Sequence, residues 1–165
     1  MRSESPIRSF PKLRGHSWAY NDPCSSGGYY NVLKKLAEID ETLSFFDRVS
    51  CSRSHLNSME MIVRGEVDAA AVDSEVLRFK LRASPGLRER LRVLESWIPF
   101  PIQPVVLRSG LPLELKARLR AGLLAIGRRS GTPAVLAKFG LECFAPVTYK
   151  HYASKSTHCQ NASAQ

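Results

Sequence analysis

Apolar residues along the chain alternate between short continuous runs and longer stripes with helical spacing. Helical spacing predicts a helix in Leu56–Val63, where Gly65 follows in a position typical of a helix end. Short runs predict strands, as in Val67–Val72, whose three alanines suit close packing of a sheet against helices. We predict strands over residues 16–21, 48–52, 67–72, 91–97 and 105–107, and helices over residues 29–39, 56–64, 75–82, 85–90, 112–126 and 132–140. This alternation indicates an α/β fold with a mostly parallel sheet flanked by helices.

Three polar loops directly follow predicted strands: residues 21–28, 52–55 and 73–75. In parallel α/β sheets, ligands bind at the carboxyl ends of the strands. The first two loops lead into helix N-termini, where unpaired N–H groups and the helix dipole attract anions. The loops therefore predict an anion site, with acidic acceptors for the far end of a ligand. The candidate ligand-binding residues in the loops are Ser25, Ser26, Gly27, Ser54, His55, Asp73 and Glu75.

Each of these features also has a purely structural interpretation. Ser25 and Asp73 are residue types that commonly cap helices, and His55 can simply begin a helix. If His55 does contact a dianion, the negative charge favours its protonated form. A nucleophilic pair of Cys24 with His55 is a catalytic alternative, but no third, orienting residue and no Gly-x-Ser-x-Gly motif accompanies it.

Composition narrows the classes of partner and cofactor. The 165 residues carry a net charge of +9, which favours anionic partners, and an apolar share of 44%, which is ordinary for a globular protein. The local excess of arginine over Arg78–Arg92 is interpreted as a solvated helix face, because no nucleic-acid-binding motif accompanies it. Four widely spaced cysteines predict no zinc site; we expect free, partly buried thiols, with a Cys24–Cys51 disulfide as the alternative. The sequence predicts no metal, cofactor or nucleic-acid partner.

Four motifs, taken together and in order, resemble the periplasmic phosphonate-binding components of ABC transporters. They are LRGHSWAYNDPCSSGGY at residues 13–29, SRSH at 52–55, GEVDAAAVDS at 65–74 and PFPIQPVVLR at 99–108. The resemblance covers about residues 13–152. It implies the fold of a type 2 periplasmic-binding-protein-like lobe, one of two lobes that close on a ligand.

Carried over residue by residue, the resemblance implies that Ser25, Ser26 and His55 grip a phosphonate, with Ser54 in the same loop. Glu75 matches a position that contacts the amine end of an aminoalkyl ligand. Gln103 stands where members often have aspartate, so it offers no negative charge to an amine. Gly27 replaces the third small hydroxyl residue of the usual run.

The resemblance also implies a domain organisation, because family members carry further residues of a first lobe before this region. We expect a loose N-terminal lead-in over residues 1–12, the second ligand-binding lobe over 13–107, C-terminal helices over 108–153 and a disordered tail over 154–165. The C-terminal helices would normally pack on the first lobe, so in a truncated member we expect exposed apolar residues and self-association. Those residues are Leu115, Leu119, Leu123, Leu136 and Phe139.

The expected function is that of a partial substrate-binding component for a phosphonate or phosphate-type oxyanion, with an ABC transporter permease as partner and no enzymatic activity. An enzyme of the same fold acting on a thiamine-type or phosphorylated small molecule, and a non-functional gene fragment, are the alternatives. The resemblance implies a periplasmic location. The N-terminus shows no apolar segment of a secretion signal, so a cytoplasmic location follows if Met1 is the true start.

Overall fold

The computed structural model describes residues 1–97 and 102–152. The tail expected to be disordered and the first residues of the proline-rich passage lie outside the described residues. The described chain divides into two compact units, residues 1–97 and residues 102–152.

The first unit contains a three-stranded parallel sheet in the order β2-β1-β3. Its strands are Ser17–Tyr20 (β1), Arg48–Cys51 (β2) and Ala69–Ala70 (β3). Tyr20 pairs with Cys51 at the end of β1 and β2, so the two strands finish level with each other. The predicted α/β class with a mostly parallel sheet is confirmed.

Six α-helices occur in the described residues. Three of them flank the sheet, and each of these follows one of the three strands along the chain. Helix α2 ends at Gly65, whose φ of 76° lies in the left-handed region that glycine adopts without strain, as the sequence predicts. A π-helical turn, Ser26–Tyr30, precedes the first helix. The helices are Asn31–Ala37 (α1), His55–Arg64 (α2), Ser74–Ala83 (α3), Gly86–Arg90 (α4), Leu113–Ile126 (α5) and Thr132–Lys138 (α6), with 3-10 turns at Phe10–Leu13, Leu43–Phe45 and Tyr149–His151.

Two apolar clusters form the core of the first unit, one on each face of β1. Successive strand residues point to opposite faces, so Trp18 and Ala19 belong to different clusters. The Trp18 cluster is rich in aromatic rings and includes Phe45, whereas the Ala19 cluster holds the apolar stripe of α2, including Met59 and Ile62. The sheet is thereby fixed between α1 on one side and α2 on the other.

Residues 1–12 are not the loose lead-in expected from the sequence. Met1, Ile7 and Phe10 are buried in the first unit. The ring of Phe10 stacks on Phe45 at 5.6 Å and meets Trp97 edge-on at 5.5 Å between centroids. Their irregular spacing produces no helix or strand pattern, which is why their burial is not visible in the sequence.

Two predicted strands are absent from the structure. In residues 91–97, only Leu91 makes a strand-like pairing, an isolated antiparallel bridge to Arg2. Residues 105–107 follow Pro104 in irregular, exposed chain, with Val106 79% exposed. β-branched runs favour a strand only where a neighbouring strand packs against them, and the described part of the second unit contains no strand.

The second unit consists of α5, α6 and irregular segments. Five apolar residues of this unit were predicted to be exposed, and three of them are exposed: Leu115, Leu119 and Phe139. Leu123 is half-buried and Leu136 is buried. The chain turns back after α6, so that the N–H groups of Phe139 and Leu141 both donate to the carbonyl oxygen of Leu136. In the part of the chain that is described, no helix has the length and apolar character needed to cross a membrane.

Candidate functional site

The three loops predicted to bind a ligand meet at one edge of the sheet. Because the strands are parallel, the loops after β1, β2 and β3 all leave from their carboxyl ends. Gly28 in the first loop packs against His55 at the start of α2; a Cβ atom on Gly28 would lie 3.1 Å from His55 Cε1. A Cβ atom on Gly27 would lie 4.0 Å from the Cα atom of Asp73 in the third loop. The two glycines thus allow close approach of the three loops.

The first loop is shaped by two hydrogen-bonded turns. The carboxylate of Asp22 accepts the backbone N–H of Cys24 at 2.7 Å, and the Asp22 carbonyl accepts that of Ser25 at 3.0 Å. Ser25 then caps the π-helical turn, since its Oγ accepts the N–H of Gly28 at 3.1 Å. The helix-cap interpretation of Ser25 is therefore correct, and Ser26 beside it is exposed.

The second loop is held by a buried serine network. Ser52 Oγ donates to or accepts from Ser58 Oγ at 2.6 Å and lies 3.0 Å from the carbonyl oxygen of Tyr20, at the end of β1. Ser54 caps α2, with its Oγ accepting the N–H of Asn57 at 3.0 Å. These contacts fix the direction of the first turn of α2, which begins at His55.

Arg53, between the two serines of the second loop, adopts a φ of 66°. A non-glycine residue in the left-handed region carries backbone strain, and such residues concentrate at functional loops. The turn lets Ser52 remain buried while Ser54 caps α2 and His55 packs against the neighbouring loops.

His55 is half-buried between the first and third loops. Burial lowers the pKa of its imidazole, while the carboxylate of Asp73 and a hydrogen bond to the backbone at Ala71 partly counteract this by raising it. Its Nδ1 atom is buried without a hydrogen-bond partner among the described residues, and the same holds for Oδ1 of Asn21. The balance favours the neutral imidazole in the absence of a bound anion.

The acidic residues of the third loop are engaged in local structure. Asp73 caps α3, with Oδ1 accepting the N–H groups of Glu75 at 2.9 Å and Val76 at 3.3 Å. Glu75 forms an ion pair with Arg78 at 3.2 Å, one turn along the same helix. The helix-cap interpretation of Asp73 is correct, and its charge also acts on His55.

The remaining candidate, Gln103, is exposed and lies in the second unit, whereas the other seven lie in the first. Cys24 and Cys51 are not joined by the alternative disulfide, but their thiols are exposed and not partly buried as predicted. The described residues contain no cluster of side chains suited to a metal ion. Cys51 Sγ donates to the carbonyl of Asn21 at 3.7 Å.

Sequence reasoning missed several residues that shape the site. Asn21 and Gly28 belong to a loop that was singled out, but its sequence does not show that they pack on His55. Ser52 and Ser58 are spaced six residues apart, across a strand end and a helix turn, so no periodic pattern links them. The one available signal was the number of small polar residues around the start of α2.

Two of the solved structures that are similar to this chain are of one protein. They are XAC2383 from Xanthomonas citri bound to chloride ion, with a TM-score of 0.62 and 21% identity, and XAC2383 bound to ATP, with a TM-score of 0.60 and 22% identity. Each comparison covers 93% of this chain, but only 59% and 60% of the other. The chain thus spans about six-tenths of the length of these structures, and at such identities the likeness shows the fold.

No curated protein matches the chain in sequence. Residues 1–152, in contrast, match the family described as ABC transporter, phosphonate, periplasmic substrate-binding protein. This match covers both units and all three loops of the candidate site. The chain therefore belongs to the family of periplasmic substrate-binding proteins of phosphonate ABC transporters.

Proposed function

We propose that this chain binds a phosphonate or phosphate-type oxyanion at the edge where its three loops meet, and that it supplies this ligand to an ABC transporter permease. The observation that carries the proposal is the approach of Gly28 to His55 and of Gly27 to Asp73, which joins the loops at one place. The family assigns a small ligand and a transporter as partners and a periplasmic location. The choice of a phosphorus oxyanion and the residues that hold it are our inference.

Neutral and weakly basic donors suit such an anion. The Oγ atoms of Ser25 and Ser54 accept backbone N–H groups through their lone pairs, so each hydroxyl proton can point toward a ligand. Ser26 adds an exposed hydroxyl, and Gly27 lets a ligand approach the backbone. The imidazole of His55 completes this set of donors. The similar Xanthomonas citri structures bind chloride and ATP, which agrees with an anionic or phosphate-bearing ligand.

The far end of the ligand would meet the acidic third loop. Asp73 and Glu75 can accept hydrogen bonds there, although each already has a local partner. The resemblance of the fourth motif also implies a ligand contact for Gln103. Because Gln103 is neutral, we expect that contact to give little preference for a cationic amine over a hydroxyl.

Calorimetric titration with methylphosphonate and with inorganic phosphate tests the proposed site. The Ser25→Ala/Ser26→Ala variant removes two hydroxyl donors, and one hydrogen bond to a charged group contributes about 1.5–3 kcal/mol. Since 1.4 kcal/mol corresponds to about tenfold in affinity, we expect at least a tenfold loss. Ser44→Ala is a matched control, because Ser44 is exposed in the turn before β2, at the opposite edge of the sheet. Equal affinity in all three proteins would show that the serines are helix caps alone.

We further propose that the second unit self-associates through its exposed apolar residues. Leu113 is 81% exposed, and Leu115 and Leu119 lie on the same helix, each about two-fifths exposed. Burying a leucine side chain contributes about 1.5–3 kcal/mol. Sedimentation velocity over a range of concentrations should show dimers or larger species, and Leu115→Glu/Leu119→Glu should reduce them. Arg118→Glu, on the same helix, is the control for charge, and a monomer at all concentrations would contradict the proposal.

A further inference from the structure

Two buried hydrogen-bond acceptors flank Gly28 without any donor. Oδ1 of Asn21 and Nδ1 of His55 are both buried and have no partner among the described residues. Both side chains pack against the same point, since a Cβ atom on Gly28 would overlap Asn21 Oδ1 and approach His55 Cε1, the carbon bonded to Nδ1, to 3.1 Å. An unsatisfied buried polar atom typically costs about 1–3 kcal/mol, so a pair of them in one place requires an explanation.

The hydrogen bonding of His55 determines which of its nitrogens lacks a proton. A hydrogen bond to the backbone at Ala71 raises the pKa of the imidazole, and Nδ1 has no partner, so we assign that hydrogen bond, and with it the ring proton, to Nε2. In the neutral imidazole, one ring nitrogen is a donor and the other an acceptor. With this assignment Nδ1 is an acceptor that lies beside Gly28, as does a second acceptor, Asn21 Oδ1, and no hydrogen bond joins the two. A single proton on Nδ1 would convert this pair into a donor and an acceptor.

We propose that oxyanion binding is coupled to uptake of one proton at His55 Nδ1, and that Asn21 is the positioning residue that receives the resulting Nδ1–H hydrogen bond. The inference rests on the proposed function, because it needs an anion near His55. The proton comes from the solvent, and the imidazole becomes an imidazolium that donates through Nδ1 to Asn21 and through Nε2 to the Ala71 carbonyl or the anion. No covalent bond changes.

The groups around His55 explain why the proton arrives only with the ligand. Burial disfavours the imidazolium, and the carboxylate of Asp73, at the start of α3, favours it. From the first loop the facing group is the neutral amide of Asn21. A bound oxyanion adds a second negative charge to that of Asp73 and shifts the balance toward the protonated ring.

Counting protons during binding tests this coupling. We propose titrating methylphosphonate at pH 7 in two buffers with different ionisation enthalpies, since the difference in apparent heat gives the number of protons exchanged. His55→Gln is the control, because any protons that methylphosphonate itself takes up or releases contribute equally to the proton counts of the two proteins. We expect the wild type to take up close to one more proton than His55→Gln. In Asn21→Leu the pH midpoint of this uptake should fall by about one to two units, as expected for loss of a hydrogen bond to a charged group.

The outcomes separate this inference from the proposed function. Methylphosphonate binding with equal proton counts in wild type and His55→Gln would overturn the inference alone, and would indicate that the Asn21 amide N–H donates to a neutral imidazole. An absence of binding by the wild type would overturn the proposed function and the inference with it. A second measurement avoids any folding defect of the variants: the NMR signal of the His55 ring, followed against pH in the wild type, should show a higher pKa with methylphosphonate than without. An unchanged pKa would also overturn the coupling.

Discussion

A single methyl group added at Gly28 should disrupt the packing of the candidate site. The backbone of Gly28 is not among the positive-φ glycines, so alanine can adopt its conformation without backbone strain. The added Cβ would overlap Asn21 Oδ1 and lie 3.0 Å from Asn21 Cγ and 3.1 Å from His55 Cε1. Carbon atoms in favourable contact are about 3.5–4.0 Å apart, so either Asn21 rotates away or α2 shifts with His55. Either change would disturb the packing of Asn21 and His55 beside the first loop.

The cost can be estimated from other overpacked sites. Inserting a methyl group into a well-packed region destabilises by about 1–3 kcal/mol. For a protein of this size, each kcal/mol lowers the melting temperature by about 2–4 °C. Calorimetric melting should show this decrease for Gly28→Ala, and titration with methylphosphonate should show weaker binding, because the packing of His55 is disturbed.

Three further variants make the interpretation specific. Gly27→Ala introduces a Cβ whose nearest neighbour is 4.0 Å away, and Gly122→Ala introduces one inside α5 with nothing within 4 Å. The first should leave the melting temperature nearly unchanged, and the second should stabilise by about 0.8–1 kcal/mol because alanine favours a helix. Gly28→Ala/Asn21→Ala should recover part of the lost stability, since it removes the overlapping amide. If Gly28→Ala melts like Gly27→Ala, the close packing of these loops is refuted.

Two other predictions concern the contacts that hold the loops and strands. Ser54→Ala removes the cap of α2 and should lower the free energy of unfolding by about 1 kcal/mol in urea denaturation. Ser54→Asp is the control, because aspartate keeps the cap. Equal unfolding midpoints for the wild type and Ser54→Ala would contradict this prediction. Burial raises the pKa of Asp68, but hydrogen bonds from Ser17 and the nearby His16 outweigh it and hold that pKa below its usual range. The stability difference between wild type and Asp68→Asn should therefore be constant above about pH 4 and shrink as the pH falls through the lowered pKa; a difference that grows on acidification would disprove the linkage.

The strands β1, β2 and β3 all lie within strands predicted from the sequence. The prediction succeeded there because a short apolar run followed by a polar loop is typical of a strand in a sheet between helices. The same kind of pattern failed for residues 91–97, where the chain packs against the N-terminal segment and only Leu91 forms a bridge. Burial in that region depends on long-range contacts, such as that between Phe10 and Trp97, which no local period encodes.

The candidate site was predictable as a set of loops but not as a set of contacts. Parallel topology brings the loops to one edge, so the positions of Ser25, Ser54 and Asp73 follow from strand order alone. The approach of Asn21 and His55 to Gly28 depends on side-chain directions, which spacing does not specify. Whether Asp73 serves as a cap or a ligand contact also depends on the local turn of α3, and the structure shows the cap.

The two capping serines have a consequence for how this site can change in evolution. Ser25 and Ser54 each stabilise a helix start by accepting an N–H group, a role that aspartate fills equally well. Aspartate, however, has no proton to donate and would repel an oxyanion. Selection for fold stability alone therefore permits both residues at these positions, and only selection for an anionic ligand excludes aspartate. Under the proposed function, two such substitutions would exchange the oxyanion site for a cation site in a relative of this chain while its helices remain capped.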